Sequence, residues 1–301
     1  METIKRSNVI YQFGPHSHPV VEVDSGAIVL VETDDCFGSQ IKSEKDLVTS
    51  VDFSRVNPAT GPIGIRGASP GDVLTVEILE IDVGEKGFMV GIPNEGAFGH
   101  LIEKPVTKEI AVRNGKFRFS DTLLFPVNPM VGVIGVCPSD RVVPCGEIGD
   151  HGGNMDAKVI REGAKIHFLV RVEGAMLALG DVHAGMGDGE AVICGIETTA
   201  EVKVKLNLTK SPRIEPQRPI VELDDKFITI GHGSSLDEAA STALNDMAKL
   251  MREITDMDYP EIAMLISAVG DLRVCQIVDP QKTARVEMPK SSLGNPDRIV
   301  F

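Results

Sequence analysis

Residues 201–208 read EVKVKLNL, and this stretch sets the fold class. Apolar side chains at 202, 204, 206 and 208 alternate with charged or polar ones at 201, 203, 205 and 207. A period of two places one set on each face of a β-strand, so one face is predicted to be buried and the other solvated. The sequence around it, VICGIETTA (192–200), continues the apolar run towards the N-terminus.

Similar short strands are predicted along the first two-thirds of the chain. GDVLTVEILEIDVGEKG (71–87) alternates, and AKIHFLVRVEGAML (164–177) is rich in β-formers. In AVRNGKFRF (111–119), Asn114 and Gly115 separate two strands and favour a type I′ hairpin, because both turn positions need a positive φ. With 30 glycines and 18 prolines, and no repeated β-α-β pattern, residues 1–220 are predicted to form a mainly β body, sandwich-like or barrel-like.

The pattern changes beyond the proline-rich segment TKSPRIEPQRP (209–219). Ser235 and Glu238 form a capping-box pattern, and apolar residues then recur at helical spacing to Ile254. A second helix is predicted to begin after Asp258, with Pro260 in its first turn. Residues 221–285 therefore read as a small α+β subdomain, and 286–301 as a C-terminal tail that returns to the body.

Charge and cysteine usage exclude several classes of function. The chain has 30 basic and 44 acidic residues and a net charge of −14, which argues against binding to nucleic acid or to an anionic membrane. No apolar run reaches the roughly 20 residues of a membrane span, and the N-terminus lacks the apolar core of an export signal. Five scattered cysteines without a C-x-x-C pair argue against a disulfide framework, so we expect a reducing, cytoplasmic location.

Three stretches, two of them rich in glycine, carry the candidate chemistry. LGDVHAGMGDGE (179–190) is the densest, and an extended backbone would place Asp181 and His183 on one face. A glycine turn could then bring later acids back towards them, and a cation would offset a repulsion of roughly 1 kcal/mol per close pair. CGEIGDHGGNMDAK (145–158) has a similar composition, and in TDDCFGSQ (33–40) Asp34, Asp35 and Cys36 follow an apolar strand. Each stretch could equally be a solvated acidic loop, and Cys36 a small buried filler.

Nucleophile signatures are missing from the chain. It has no G-x-S-x-G elbow and no cysteine within a recognisable histidine-partner motif. If the protein is a hydrolase, water activated by a divalent cation is therefore the better nucleophile.

Five strings, taken in order, resemble the acetamidase/formamidase family. They are DCFGSQI (35–41), NPATGPIGIRGASPGDVL (57–74), GVIGVCP (132–138), GGNMDAK (152–158) and GDVHAGMGDGE (180–190). The resemblance spans roughly residues 5 to 290. It implies hydrolysis of short aliphatic amides such as formamide or acetamide to ammonia and the carboxylate. It also implies a largely β fold with a small α+β insert, and a homo-oligomer.

The resemblance strengthens seven residues, Asp35, Asn154, Asp156, Asp181, His183, Asp188 and Glu190. Glu147 and His151 are candidates from the composition of 145–158 alone, and together these residues predict a site. The expected cofactor is a divalent metal, zinc first, with calcium or magnesium as alternatives. The expected partners are a small amide substrate and a second copy of the chain in a homodimer. The predicted metal ligands are Asp35, Asp156, Asp181 and His183, the catalytic candidates are Glu190, Glu147 and Asp188, and the substrate-binding candidates are Asn154 and His151.

Two other functions fit the same residues. One is hydrolysis of a different small C–N compound, such as a cyclic or N-substituted amide. The other is a non-catalytic β-sandwich that binds calcium together with a carbohydrate or another protein, although the absence of tryptophan counts against sugar stacking.

Overall fold

Most of the chain is β-structure in a computed structural model, which describes residues 1–294 and 301. Two α-helices lie near the C-terminus, α1 at Leu236–Ile254 and α2 at Tyr259–Val269. The strands are β1 Glu2–Ile4, β2 Val9–Ile10, β3 Gln12–Phe13, β4 Val21–Val23, β5 Ile28–Thr33, β6 Ala59–Ile65, β7 Val73–Val83, β8 Lys86–Gly91, β9 Val106–Arg113, β10 Lys116–Arg118, β11 Leu124–Pro126, β12 Met130–Gly135, β13 Val143–Pro144, β14 Ile148–Gly149, β15 Gly152–Asn154, β16 Lys165–Leu169, β17 Leu177–His183, β18 Glu197–Thr198, β19 Ala200–Thr209, β20 Ile220–Glu222, β21 Lys226–Gly233, β22 Asp271–Gln276 and β23 Lys282–Pro289.

These strands form two large sheets and one small one. The first sheet has the order β1-β5-β19-β7-β16-β20-β21-β23-β22. The second runs β11-β10-β9-β8-β18-β17-β12-β15-β14, with β6 also pairing with β17, β2 and β4. The third is the pair β13-β3. This architecture confirms the predicted mainly β fold with a small α+β part near the C-terminus.

One hydrophobic core is shared by the two large sheets. Val202, Val204 and Leu206 of β19 are fully buried, as their alternation predicts, while Glu201 on the other face is exposed. They belong to one apolar cluster with residues of the second sheet such as Leu179. Since buried apolar area contributes about 25 cal/mol per Å² to stability, this shared interior holds the two sheets together.

The local signals at the turns and helix ends are confirmed, one of them in part. Asn114 and Gly115 both have a positive φ between β9 and β10. At the start of α1, half of the predicted capping box forms: Ser235 accepts a hydrogen bond from the Glu238 backbone N–H, but the Glu238 side chain accepts from the N–H of Ser234 instead of Ser235. At α2, Asp258 forms a complete capping box. No helix in the described residues is long and apolar enough to cross a membrane.

The segment 221–285 extends the first sheet. Strand β20 pairs with β16 of the body on one side and with β21 on the other. Helix α1 packs its apolar face on β21 and β23 in a second hydrophobic cluster. Of the predicted tail 286–301, residues 286–289 complete β23, and residues 295–300 lie outside the described part of the chain.

Candidate functional site

A cavity of about 210 Å³ opens beside strand β17 of the second sheet. Its wall combines a polar group of side chains with an apolar one. The lining residues are Cys36, Phe37, Val48, Phe53, Val56, Asn57, Val90, Ile92, Gly146, Asn154, Asp156, Asp181, His183, Glu190, Ile193, Cys194, Glu197 and Asp279.

Strand β17 delivers the centre of the polar group. His183 is its last residue and is 1% exposed. Its Nε2 lies 3.3 Å from Oδ1 of Asp181 and 3.1 Å from Oε1 of Glu197. Glu197 stands directly opposite His183 in the β17–β18 pairing, so the two side chains are cross-strand neighbours. The imidazole is thus held between two buried carboxylates.

Two glycines make room for these side chains. A Cβ on Gly132 of β12 would lie 2.6 Å from Oδ1 of Asp156 and 2.6 Å from Oδ2 of Asp181. A Cβ on Gly195 would lie 2.6 Å from Nδ1 of His183. Real Cβ atoms do not approach other atoms so closely, which means that both positions require glycine for the cluster to form.

Two further carboxylates reach the cluster from loops. One ligand atom each from Asp156, His183 and Glu190 lie within 4.8 Å of one another, and the three residues are buried. Asp156, Asp181 and Glu190 all have left-handed backbones, with φ of 42°, 55° and 46°. Such conformations cost about 1–3 kcal/mol each and concentrate at functional sites. A second group with the same spacing is Cys36, Asp181 and Glu197.

The opposite side of the cavity is closed by the hairpin between β22 and β23. Asp279 of this hairpin accepts a hydrogen bond of 2.8 Å from Nδ2 of Asn154. The backbone N–H of Asp279 donates to Oε1 of Gln276, and the Thr283 hydroxyl donates to the carbonyl of Met155. The C-terminal part of the chain therefore supplies an acid to a cavity built mainly by residues 36–197.

Burial dominates the electrostatics of the cluster. It raises the pKa of Asp156 and of Glu190 well above the ordinary carboxyl range, with neighbouring acids adding to the effect. Burial likewise raises the pKa of Glu197 to about 7 and that of Asp279 to about 6. For His183, burial lowers the pKa, but the carboxylates of Glu197 and Asp181 outweigh it and raise the pKa well above its usual value.

Several buried polar atoms of the cluster have no hydrogen-bond partner. They are Oδ1 of Asn154, Oδ1 of Asp156, Nδ1 of His183, Oε2 of Glu190 and Oε2 of Glu197. An unsatisfied buried polar atom costs about 1–3 kcal/mol, more for a charged one. A set of carboxylate oxygens and an imidazole nitrogen at this spacing is the donor set of a divalent cation, so the residues fit such an ion.

Two predicted site residues lie beside the cavity without lining it. Asp35 is buried, and its Oδ1 accepts the backbone N–H of Ser39, while burial raises its pKa to about 6. His151 packs edge-on against Phe13, with ring centroids 5.0 Å apart. Burial and nearby arginines lower the pKa of His151 to about 4, which favours the neutral ring.

Two predicted catalytic acids are directed elsewhere. Glu147 is exposed and does not line the cavity. Asp188 forms ion pairs with Arg285 and with Lys158, the latter at 3.1 Å. The structure thus brings five of the predicted site residues together around one cavity. They are Asn154, Asp156, Asp181, His183 and Glu190.

The sequence interpretation missed Glu197 and Asp279. Period-two alternation over 192–208 places Glu197 on the same solvated face as Glu201, but the chain passes from the second sheet to the first between β18 and β19. That crossing turns Glu197 inwards. Asp279 comes from a hairpin more than eighty residues beyond the other acids, and no local pattern connects it with them.

Comparison with known proteins adds an independent result. The sequence model of the acetamidase/formamidase family matches residues 3–147 and 141–292. The chain belongs to this family. A formamidase of Methylophilus methylotrophus is 27% identical over 288 residues, which cover 73% of this chain and 70% of that protein. The chain spans 61% of a Schizosaccharomyces pombe relative and 56% of an acetamidase of Mycolicibacterium smegmatis.

Solved structures of family members have the same fold. An acetamidase of Bacillus halodurans is 41% identical with a TM-score of 0.94, covering 97% of this chain and all of that one. A predicted acetamidase/formamidase of Thermoanaerobacter tengcongensis is 42% identical with the same TM-score, covering 97% and 96%. An acetamidase of Yersinia enterocolitica is 28% identical with a TM-score of 0.91, covering 98% and 93%.

Proposed function

We propose that the protein hydrolyses short aliphatic amides to a carboxylate and ammonia, with a divalent cation as cofactor. One observation carries the proposal. Buried acids and an imidazole converge, with unpartnered polar atoms, on a small cavity in a chain of the acetamidase/formamidase family. A cavity of this size suits a small uncharged substrate rather than a polymer.

The cation would be held by Asp156, His183 and Glu190. Mixed nitrogen and carboxylate donors favour zinc, while calcium and magnesium prefer oxygen ligands alone. Cys36, Asp181 and Glu197 would form the adjoining wall. The ion supplies Lewis acidity, which lowers the barrier to attack of water on an amide carbonyl.

Glu197 is the general base in this proposal. Its Oε1 is fixed 3.1 Å from His183, while its Oε2 is buried and unpartnered. A carboxylate held in this way can accept a proton from the attacking water and return it to the departing ammonia. The exposed side chain of Glu147 and the ion-paired one of Asp188 are poorer candidates for the role.

Asn154 is the proposed recognition group for the primary amide. Its Nδ2 donates to Asp279, which fixes the orientation of the side-chain amide. Oδ1 is left buried and unpartnered at the cavity. An oxygen in this position accepts a hydrogen bond from the N–H of a substrate amide, and a buried acceptor discriminates strongly against substrates that lack the donor.

The test joins metal analysis to ammonia release. Protein purified without added metal is analysed for bound ions and assayed on formamide, acetamide and propionamide, before and after chelation. We expect one bound divalent ion or more, loss of turnover on chelation, and recovery with zinc. His183→Ala should lose activity with unchanged circular dichroism, while His100→Ala, at an exposed position, should not. Full turnover after chelation and in His183→Ala would contradict the proposal.

A further inference from the structure

The cavity has a second half that the proposed hydrolysis of formamide or acetamide does not use. Beyond the acidic cluster, its wall is formed by apolar side chains from two parts of the chain. They are Phe37, Val48, Phe53 and Val56 from the segment after β5, and Val90, Ile92 and Ile193 from β8, the residues after it and the loop before β18.

This apolar wall is part of a packed cluster. Phe37, Val48 and Val90 are 5%, 4% and 3% exposed, and they share a hydrophobic cluster with Cys36 and Cys194. Phe53, by contrast, is 64% exposed and stands at the rim. The inner part of the wall is thus packed into a hydrophobic cluster, and it lines the same cavity as the acidic group.

The size of the cavity exceeds what acetamide fills. Its volume is about 210 Å³, whereas an apolar cavity of about 150 Å³ accommodates a six-carbon ring such as benzene. If acetamide bound with its carboxamide at the acidic end, its single methyl group would not cover the apolar wall, which would stay in contact with water. Removing apolar surface from water is favourable, so a substrate with additional methylene groups should bind more tightly by covering this wall.

Ile193 supports this reading independently. Its φ of 145° lies where side chains other than glycine are strained. The side chain lines the cavity and packs against the same hydrophobic cluster. A β-branched residue in a conformation suited to glycine indicates that an apolar side chain is needed at this point of the wall.

We propose, on the basis of the amidase function above, that the natural substrates are aliphatic primary amides with acyl chains of four or five carbons. The carboxamide lies against Asn154 and the acidic cluster, and the alkyl chain lies along Val48, Val90 and Ile193. Formamide and acetamide are then poor substrates of this chain.

The first test is the specificity constant over a series from formamide to hexanamide, with the metal-loaded enzyme. Burying one methylene contributes about 0.8 kcal/mol, which corresponds to about fourfold in kcat/KM. We expect about a 15-fold rise from acetamide to butanamide and a decline at hexanamide. Formamide or acetamide as the best substrate would overturn this proposal while leaving the amidase function intact. Turnover of no amide would instead refute the amidase function, and this proposal with it.

Two variants test the wall itself. Val56→Phe narrows the cavity, so butanamide should lose at least tenfold more in kcat/KM than acetamide does; the control Val20→Phe, at a half-exposed position outside the cavity, should alter neither. Ile193→Gly removes the wall at the strained residue. It should lower the preference for butanamide over acetamide severalfold without lowering Tm, because the backbone strain is relieved. An unchanged preference in both variants would contradict the assignment.

Discussion

The guanidinium of Arg285 donates two parallel hydrogen bonds, 2.8 Å and 3.0 Å long, to the carboxylate of Asp188. Arg285 is 1% exposed, and its Nε also donates to Glu287. Two residues beyond Asp188 the chain reaches Glu190 of the site. Between them, Gly189 exchanges backbone hydrogen bonds with Cys275 and Ile277. The C-terminal hairpin thereby fixes the path of the loop that presents Glu190.

The variant Arg285→Met tests whether the Arg285–Asp188 ion pair holds Glu190 in place. The Asp188 end of the pair is partly exposed, so loss of Arg285 should cost about 1–3 kcal/mol of unfolding free energy. We expect kcat to fall at least tenfold and the affinity for zinc to fall with it, because Glu190 is no longer held in place. Asp188→Asn, which keeps the shape of the side chain, should show a smaller loss of the same kind. The control is Arg273→Met, at a half-exposed arginine on β22. Unchanged zinc affinity in Arg285→Met would refute the link.

Gly132→Ala should disable the cluster without altering a functional group. The new Cβ would lie 2.6 Å from both Asp156 and Asp181, so the carboxylates must move. We expect at least a hundredfold loss of kcat/KM, since displacements near 1 Å at a catalytic group cost about that much. Gly187→Ala is the matched control, because a Cβ there meets open space. Ammonia release measures the activity, and equal turnover in the two variants would contradict this view of the site.

Asn154→Ala should affect amides more than esters. The lost acceptor would raise KM for a primary amide, and we expect kcat/KM to drop about 10–100-fold, the range that corresponds to one unpaired buried polar group. An ester of the same acid has no N–H, so its hydrolysis should be affected much less. Parallel assays on butanamide and methyl butanoate measure the difference. Equal losses for the two substrates would show that Asn154 acts only through the packing around Asp279.

Metal binding should release protons. Burial raises the pKa of Asp156 and Glu190, so the metal-free protein holds protons there that a cation must displace. Raised carboxyl pKa values stabilise the metal-free fold at low pH, and this stability is lost as the pH rises through them. Zinc should therefore raise Tm more at pH 8 than at pH 6. Calorimetry in two buffers with different ionisation enthalpies counts the protons, and a count of zero would contradict the ligand set.

Glu222→Gln should alter acid stability far from the cavity. Burial raises the pKa of Glu222, but the hydrogen bonds from His167 and Lys290 outweigh it and lower the pKa to about 2. A lowered carboxyl pKa contributes stability above the unfolded value of about 4.5, and the contribution is lost as the pH falls towards 2. The variant should be less stable than wild type at pH 6, and the gap should close by pH 2. Urea titrations measure it, with exposed Glu95→Gln as control. A gap independent of pH would contradict this origin.

Much of the fold could be predicted from the sequence because its signals are local. The alternation around Val204, the turn at Asn114 and the helix cap at Asp258 each depend on residues within a few positions, and each is confirmed. The membership of strands in sheets could not be predicted in this way. It depends on pairings such as that of β16 with β20, which local periodicity does not encode.

Part of the candidate site could be predicted from the sequence for the same reason. Asp181 and His183 are two residues apart on one strand, and Asp156 and Glu190 lie on glycine-rich loops that suggested a ligand. Asp188 illustrates the limit of prediction from local sequence, because only the fold shows that its carboxylate forms an ion pair with Arg285. The predicted roles of these residues, zinc, the homodimer and the cytoplasmic location stay predictions.

The hairpin that carries Asp279 has a consequence for biosynthesis. The strands around β17 can pair early on the ribosome. The cavity nevertheless lacks the wall that carries Asp279, and the ion pair of Arg285 with Asp188, until residues 271–287 have emerged. Nascent chains that lack residues 271–287 should be folded in part but inert towards substrate.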